Sequence, residues 1–181
     1  MDVAITQSIN APAGHNAALD AVMLAITHYG VPLMVLIVVV LFWLGRAARE
    51  TRHACYVAGG SFLLGLGLAQ LMLLFIHRQK PYDAGISHLI ISPTPDGSFP
   101  SDYAIAATSI AFIFLFNRVA PVWTTILGAM AVLICLSRIY VGMHYVSDVL
   151  GGVAVGLLAA LIVNWAYPHD SELERRLSKW L

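Results

Sequence analysis

The stretch SRIYVGMHYVSD at 137–148 gathers an arginine, a histidine and a carboxylate in an otherwise apolar chain. His144 and Asp148 are four residues apart, so one helical turn lets the carboxylate accept a hydrogen bond from one imidazole nitrogen and leaves the other free as a nucleophile. By itself the pair equally fits a hydrogen bond at the end of a membrane helix. Two further stretches add to it. HRQKPYDAG at 77–85 brings Arg78 and Lys80, and GSFPSDYA at 97–104 brings Ser101, Asp102 and Tyr103 to the mouth of a run of helix-forming apolar residues. Arg78, Lys80 and Arg138 together match a bound anion, and phosphate fits best. Guanidinium forks pair with phosphate oxygens, and a helix N-terminus just after Pro100 offers unpaired N–H groups at the positive end of its dipole. Ser101 serves there either as helix cap or as a direct donor to phosphate. A phosphate clamped in front of the free imidazole nitrogen is open to in-line attack, giving a phosphohistidine that water then resolves.

The elements that must position these groups are membrane helices. Of 181 residues 59% are hydrophobic and only 11% charged, and the apolar residues come in long blocks, which places the chain in a bilayer. A formal net charge of zero argues against a nucleic-acid partner. The N-terminal sequence MDVAITQSINAPAGHN lacks the basic and apolar sections of a removable signal peptide, so the mature chain is expected to begin near Met1. An amphipathic piece over 16–29 leads through Gly30 and Pro32 into VPLMVLIVVVLFWL, a run short for a ~30 Å core. The first span therefore borrows residues before the Gly–Pro break, or the early piece is a separate interfacial helix. Further spans are expected over 54–76, 103–116, 122–136 and 147–165. The predicted fold is an all-α antiparallel bundle of about five transmembrane helices plus an N-terminal interfacial helix. It forms a single domain over 1–181, with 168–181 as a cytoplasmic amphipathic tail.

Charge sets the orientation, because short cytoplasmic loops are enriched in Lys and Arg. Arg46, Arg49, Arg52, Arg118, Arg175, Arg176 and Lys179 share one face under a five-span layout, which marks that face as cytoplasmic. Arg78, Lys80 and Arg138 lie on the other, with Ser101, Asp102, Tyr103, His144 and Asp148. Gly59, Gly60, Gly65, Gly67, Gly151, Gly152 and Gly156 sit at helical spacing, as close packing of membrane helices requires. Cys55 and Cys135 fall near opposite faces and are not expected to pair.

The ordered set Arg78-x-Lys80-Pro81, Pro100-Ser101-Asp102, and Ser137-Arg138 followed by His144 and Asp148 resembles the three-part signature of the type 2 phosphatidic acid phosphatase superfamily. HRQKPYDAG and DGSFPSDYA look most like its bacitracin-resistance-type undecaprenyl-diphosphate phosphatases. The resemblance implies His144 as nucleophile, Asp148 as its orienting partner, and Arg138 with Lys80 as phosphate clamp. Ser101 and nearby amides complete the cradle, and Asp102, Ser137 and Arg78 stand beside it as substrate-binding candidates. It implies a polyprenyl diphosphate or monophosphate lipid as partner, no metal and no cofactor, and a bacterial plasma membrane location with the site on the outer side. The same residues would also suit a lipid phosphotransferase or a non-catalytic lipid-phosphate-binding variant.

The sequence departs from the family pattern in three places. Leu73 stands where the first motif often opens with Lys, and Lys80 replaces its Arg, with Arg78 nearby to supply charge. Tyr103 stands where the family has its general-acid His. A phenol with an ordinary pKa near 10 donates a proton less readily than imidazolium. Expelling a phosphate needs that proton less than expelling an alkoxide does, so Tyr103 suits a diphosphate substrate.

Overall fold

The computed structural model describes residues 1–44 and 49–168. These residues form six helices: α1 (Asp2–Asn10), α2 (Ala17–Leu44), α3 (Arg49–Leu73), α4 (Asp102–Asn117), α5 (Pro121–Tyr140) and α6 (Val146–Ala166). No strand occurs among the described residues. Four of the helices, α2, α3, α5 and α6, are long and apolar enough to cross a membrane, whereas α4 is shorter. At 16 residues, α4 rises about 24 Å, less than a ~30 Å hydrocarbon core. The segment 74–101 folds over its N-terminus, and Ser98 and Ser101 are completely buried there.

Helix α4 is the centre of the bundle, with α3, α5 and α6 packed around it. Its core face runs almost unbroken from Ala104 to Ile110. Small residues make this possible. A Cβ on Gly152 would come within 2.7 Å of the Ser101 carbonyl and 2.8 Å of the Ala104 Cβ. One on Gly65 would meet Ile105 Cγ2 at 2.7 Å. The glycines at helical spacing in α3 and α6 therefore include genuine contact points, while Gly59 and Gly67 face open space.

Of the two alternatives for 16–29, the first span borrows these residues and no separate interfacial helix forms from them. That stretch is the first half of α2, which continues through Gly30 and Pro32 for 28 residues, about 42 Å. Pro32 removes only one helical hydrogen bond, a loss membrane helices tolerate. Gly30 lets α2 pass Ile134 of α5, where a Cβ would come within 2.6 Å of the isoleucine side chain. The short helix preceding the bundle is instead α1. Helix α5 runs four residues past the expected 136, which puts Ser137 and Arg138 in its last turn.

Chain direction alternates along α2 to α6, so the start of α4, the end of α5 and the start of α6 meet at one end of the bundle. Arg78, Lys80 and Arg138 lie at that end, and Arg49, Arg52 and Arg118 at the other. Arg46 and the tail residues 169–181, including Arg175, Arg176 and Lys179, fall outside the described residues.

Candidate active site

The turn between α5 and α6 carries His144. Gly142 adopts φ +83° there, and its α-carbon passes so close to the His88 backbone that a side chain would collide with it. The Arg138 carbonyl accepts from the amides of Met143 and His144 at 3.2 and 3.3 Å. The histidine backbone is thus anchored to the residue whose side chain faces the same space.

The imidazole Nδ1 of His144 lies 2.8 Å from the carbonyl oxygen of Ser98. A carbonyl only accepts, so Nδ1 carries the proton and Nε2 holds the free lone pair. Burial, then the charges of Arg138 and Lys80, push the His144 pKa down to about 3. The ring is therefore neutral at physiological pH.

Asp148 takes a different place from the one its spacing suggests. Its carboxylate is 3.9 Å from His144 Nδ1, too far for a hydrogen bond. Its oxygens are taken by other donors: Ser98 Oγ at 2.5 Å, the Tyr145 amide at 2.9 Å and Arg78 Nη1 at 2.5 Å. Asp148 thus reaches the imidazole through Ser98, whose hydroxyl it holds and whose carbonyl holds the ring. Segment 97–101 is fixed further by the Ser98 amide on the Arg78 carbonyl at 2.9 Å and the Ser101 amide on the Asp148 carbonyl at 3.1 Å. The Phe99–Pro100 peptide within it is cis.

Arg138 is almost wholly buried, and its guanidinium lies over the Tyr103 ring at 4.0 Å. Its Nε and Nη1 are buried without a hydrogen-bond partner, as is Ser101 Oγ. Polar atoms buried so are costly unless a ligand meets them. At the start of α4 the amides of Asp102, Tyr103 and Ala104 have no acceptor within the helix. Lys80 is 2% exposed, and its ammonium lies 3.4 Å from Asp96. Burial pushes the Lys80 pKa down and Asp96 opposes this. Asp102 contributes one oxygen that is buried and unpartnered.

Two of the substrate-binding candidates are engaged elsewhere. Arg78 pairs with Asp148 at 2.5 Å and with Asp2 at 2.9 Å, and its charge is consumed behind the histidine. Ser137 donates to the Ile134 carbonyl at 2.8 Å and accepts from Thr27 Oγ1 at 2.9 Å, so it joins α5 to α2. The cation count by membrane face assigned Arg78 to the right end but could not distinguish a pocket from an ion pair. Ser98, Asp96 and Asp2 were missed because each meets its partner only through the folded path of 74–101 or of α1.

Buried cations around the N-terminus of α4, beside a neutral histidine, suit the binding of phosphate at the bilayer, the chemistry of membrane lipid phosphatases. The comparison with known proteins narrows this. The model of the PAP2 superfamily matches residues 54–171, and the chain belongs to that superfamily. It is 32% identical over 175 residues to the undecaprenyl-diphosphatase BcrC of Bacillus subtilis (strain 168), covering 97% of this chain and 86% of that one. It is 34% identical over 142 residues to the bacitracin transport permease protein BcrC of Bacillus licheniformis, covering 77% and 68%. Among solved structures it resembles the transmembrane PAP2 type phosphatidylglycerolphosphate phosphatase from Bacillus subtilis, with TM-score 0.66 and 26% identity over 94% of this chain and 86% of that one.

Proposed function

We propose that the protein removes the terminal phosphate of a polyprenyl diphosphate carrier lipid, undecaprenyl diphosphate in particular, at the outer face of a bacterial plasma membrane. The observation that carries this is the set of unpartnered buried donors, Arg138 Nε and Nη1 with Ser101 Oγ, gathered near a histidine whose Nε2 is free. Arg138 and Ser101 grip the terminal phosphate with the first amides of α4, and Lys80 neutralises its charge. These cations do what a divalent metal would otherwise do, so the reaction is metal-independent.

The Nε2 lone pair forms a bond to phosphorus as the bridging P–O bond breaks, and that electron pair leaves with the prenyl monophosphate. No proton is required for this departure. The histidine is then a phosphoimidazolium whose Nδ1–H remains on the Ser98 carbonyl. Water attacks phosphorus, the N–P bond breaks, and the proton leaves on orthophosphate with His144 neutral again. Tyr103 acts chiefly by stacking on Arg138, consistent with a leaving group that needs no acid. An apolar cavity of about 440 Å³ between α4, α5 and α6 begins beside the same turn, lined by Phe112, Leu136, Ile139, Val146 and Val149 among others, and takes the first isoprene units of the substrate.

Purified protein in detergent tests the reading by phosphate release from undecaprenyl diphosphate, undecaprenyl monophosphate, phosphatidylglycerol phosphate and phosphatidate. Preference for the diphosphate supports it, and equal rates on phosphatidate reject it. Tyr103 in the family's histidine position favours a second reading, a lipid-phosphate-binding protein without turnover. Binding of the diphosphate with no phosphate release would select that reading.

A further inference from the structure

Helix α1 presents Asp2, Thr6 and Asn10 at a spacing of four, along a single face. Each bonds to the rim of the histidine turn. Thr6 is fully buried, and its Oγ1 accepts from the Val146 amide at 3.1 Å. Asp2 Oδ1 accepts from the Ser147 amide at 3.0 Å, and Oδ2 from the Ser147 hydroxyl at 2.5 Å. Asn10 donates to the carbonyls of Tyr140 and His88 at 2.7 and 2.9 Å and accepts from the His88 amide at 2.7 Å. The first amides of α6 are therefore capped by a different helix, and the last turn of α5 is held by that same helix.

Asp2 extends this clamp inward. Its Oδ2 accepts from Arg78 Nη2 at 2.9 Å, and Arg78 Nη1 donates to Asp148 Oδ1 at 2.5 Å. Asp148 Oδ2 holds the Ser98 hydroxyl at 2.5 Å, and the Ser98 carbonyl holds His144 Nδ1 at 2.8 Å. We propose that Asp2 is a positioning residue for the phosphatase reaction, aiming His144 Nε2 at phosphorus through Arg78, Asp148 and Ser98. This rests on the reading of His144 as nucleophile. Asp2 makes its bonds to Arg78 and Ser147, away from Lys80, Ser101 and Arg138, so its loss should slow the chemical step and spare lipid affinity.

The test uses the full chain in detergent, with variants Asp2→Asn, Asp2→Glu, Arg78→Gln and Asp2→Asn/Arg78→Gln. On undecaprenyl diphosphate, Asp2→Asn should lower kcat about tenfold, the loss expected from one charge-assisted hydrogen bond, with KM within about twofold. Asp2→Glu should recover most of kcat. The double variant should be no slower than Arg78→Gln alone, because both act on one chain of bonds. Amide exchange, followed in parallel by mass spectrometry, should accelerate in Asp2→Asn at 97–101, a segment Asp2 does not touch. Parental kcat in Asp2→Asn, losses that multiply in the double variant, or exchange that changes only at 146–150 would each overturn the proposal. If the parent protein hydrolyses none of the lipids, the proposed function is what has failed, and the exchange at 97–101 still decides whether Asp2 acts on the histidine support.

Discussion

Replacing Arg138 by lysine keeps one positive charge at the site and removes the planar fork. The structure allows the loss to be estimated. Arg138 is 4% exposed, so its hydrogen bonds form out of water, and its Nε and Nη1 await two acceptors. A lysine ammonium on a flexible stem meets one of them, and losing the other charge-assisted bond costs about 1.5–3 kcal/mol. The stack on Tyr103 at 4.0 Å is also lost or weakened, adding about 0.5–1 kcal/mol. The sum, about 2–4 kcal/mol, corresponds to a fall in kcat/KM of roughly 30- to 1000-fold. Phosphate release from undecaprenyl diphosphate measures it, with thermal unfolding of the same preparations as control. The Arg138 carbonyl still anchors the Met143 and His144 amides in the variant, so the fold should persist. A fall of less than about threefold in a folded protein would refute the guanidinium as phosphate clamp.

Tyr103→Phe keeps the ring under Arg138 and should leave diphosphate hydrolysis within about twofold of the parental rate. Tyr103→His should accelerate monophosphate hydrolysis more than diphosphate hydrolysis, since only the alkoxide needs a proton donor; equal changes on both substrates would remove position 103 from the leaving-group side. The pH profile of kcat/KM should show no acid limb at the ordinary histidine value of 6.5, because burial and the neighbouring cations lower the His144 pKa to about 3. The neutral, nucleophilic ring persists above that pKa and is lost only as pH falls towards it, so a His144-dependent limb near 6.5 would contradict the buried site. Gly152→Ala brings a Cβ within 2.7 Å of the Ser101 carbonyl and should destabilise the protein by about 1–3 kcal/mol, read as a lower Tm. An unchanged Tm would mean that α4 and α6 do not approach as described.

The helices α3 to α6 were legible because each is a continuous apolar block between polar or proline-containing segments. Their ends differ from the sequence reading by a few residues where a neighbour supplies the reason, as at the last turn of α5, which carries Ser137 and Arg138 to the histidine turn. The motif residues were legible as a set, since a histidine, an arginine and a serine at the mouths of three helices have few uses inside a membrane. Their partnerships were not. Asp148 lies four residues after His144, and the spacing alone suggests a direct bond. The carboxylate instead meets donors from 78, 98 and 145, and two of these depend on how 74–101 folds back over α4. That segment has no apolar periodicity to read. Helix α1 was equally hidden. Its nine residues are too short to signal a helix by apolar pattern, and the meaning of Asp2, Thr6 and Asn10 lies in backbone groups more than 70 residues away.

Whether phosphate passes through His144 is the most direct question to put to the protein. Undecaprenyl diphosphate labelled with ³²P in its terminal phosphate, mixed with the protein and quenched within milliseconds in alkali, should leave label on the chain. A phosphorus–nitrogen bond survives alkali and is lost in mild acid, and the labelled peptide should contain His144. The His144→Ala protein should carry no label and release no phosphate. Label of the same stability on the His144→Ala protein, or continued phosphate release by it, would contradict the account.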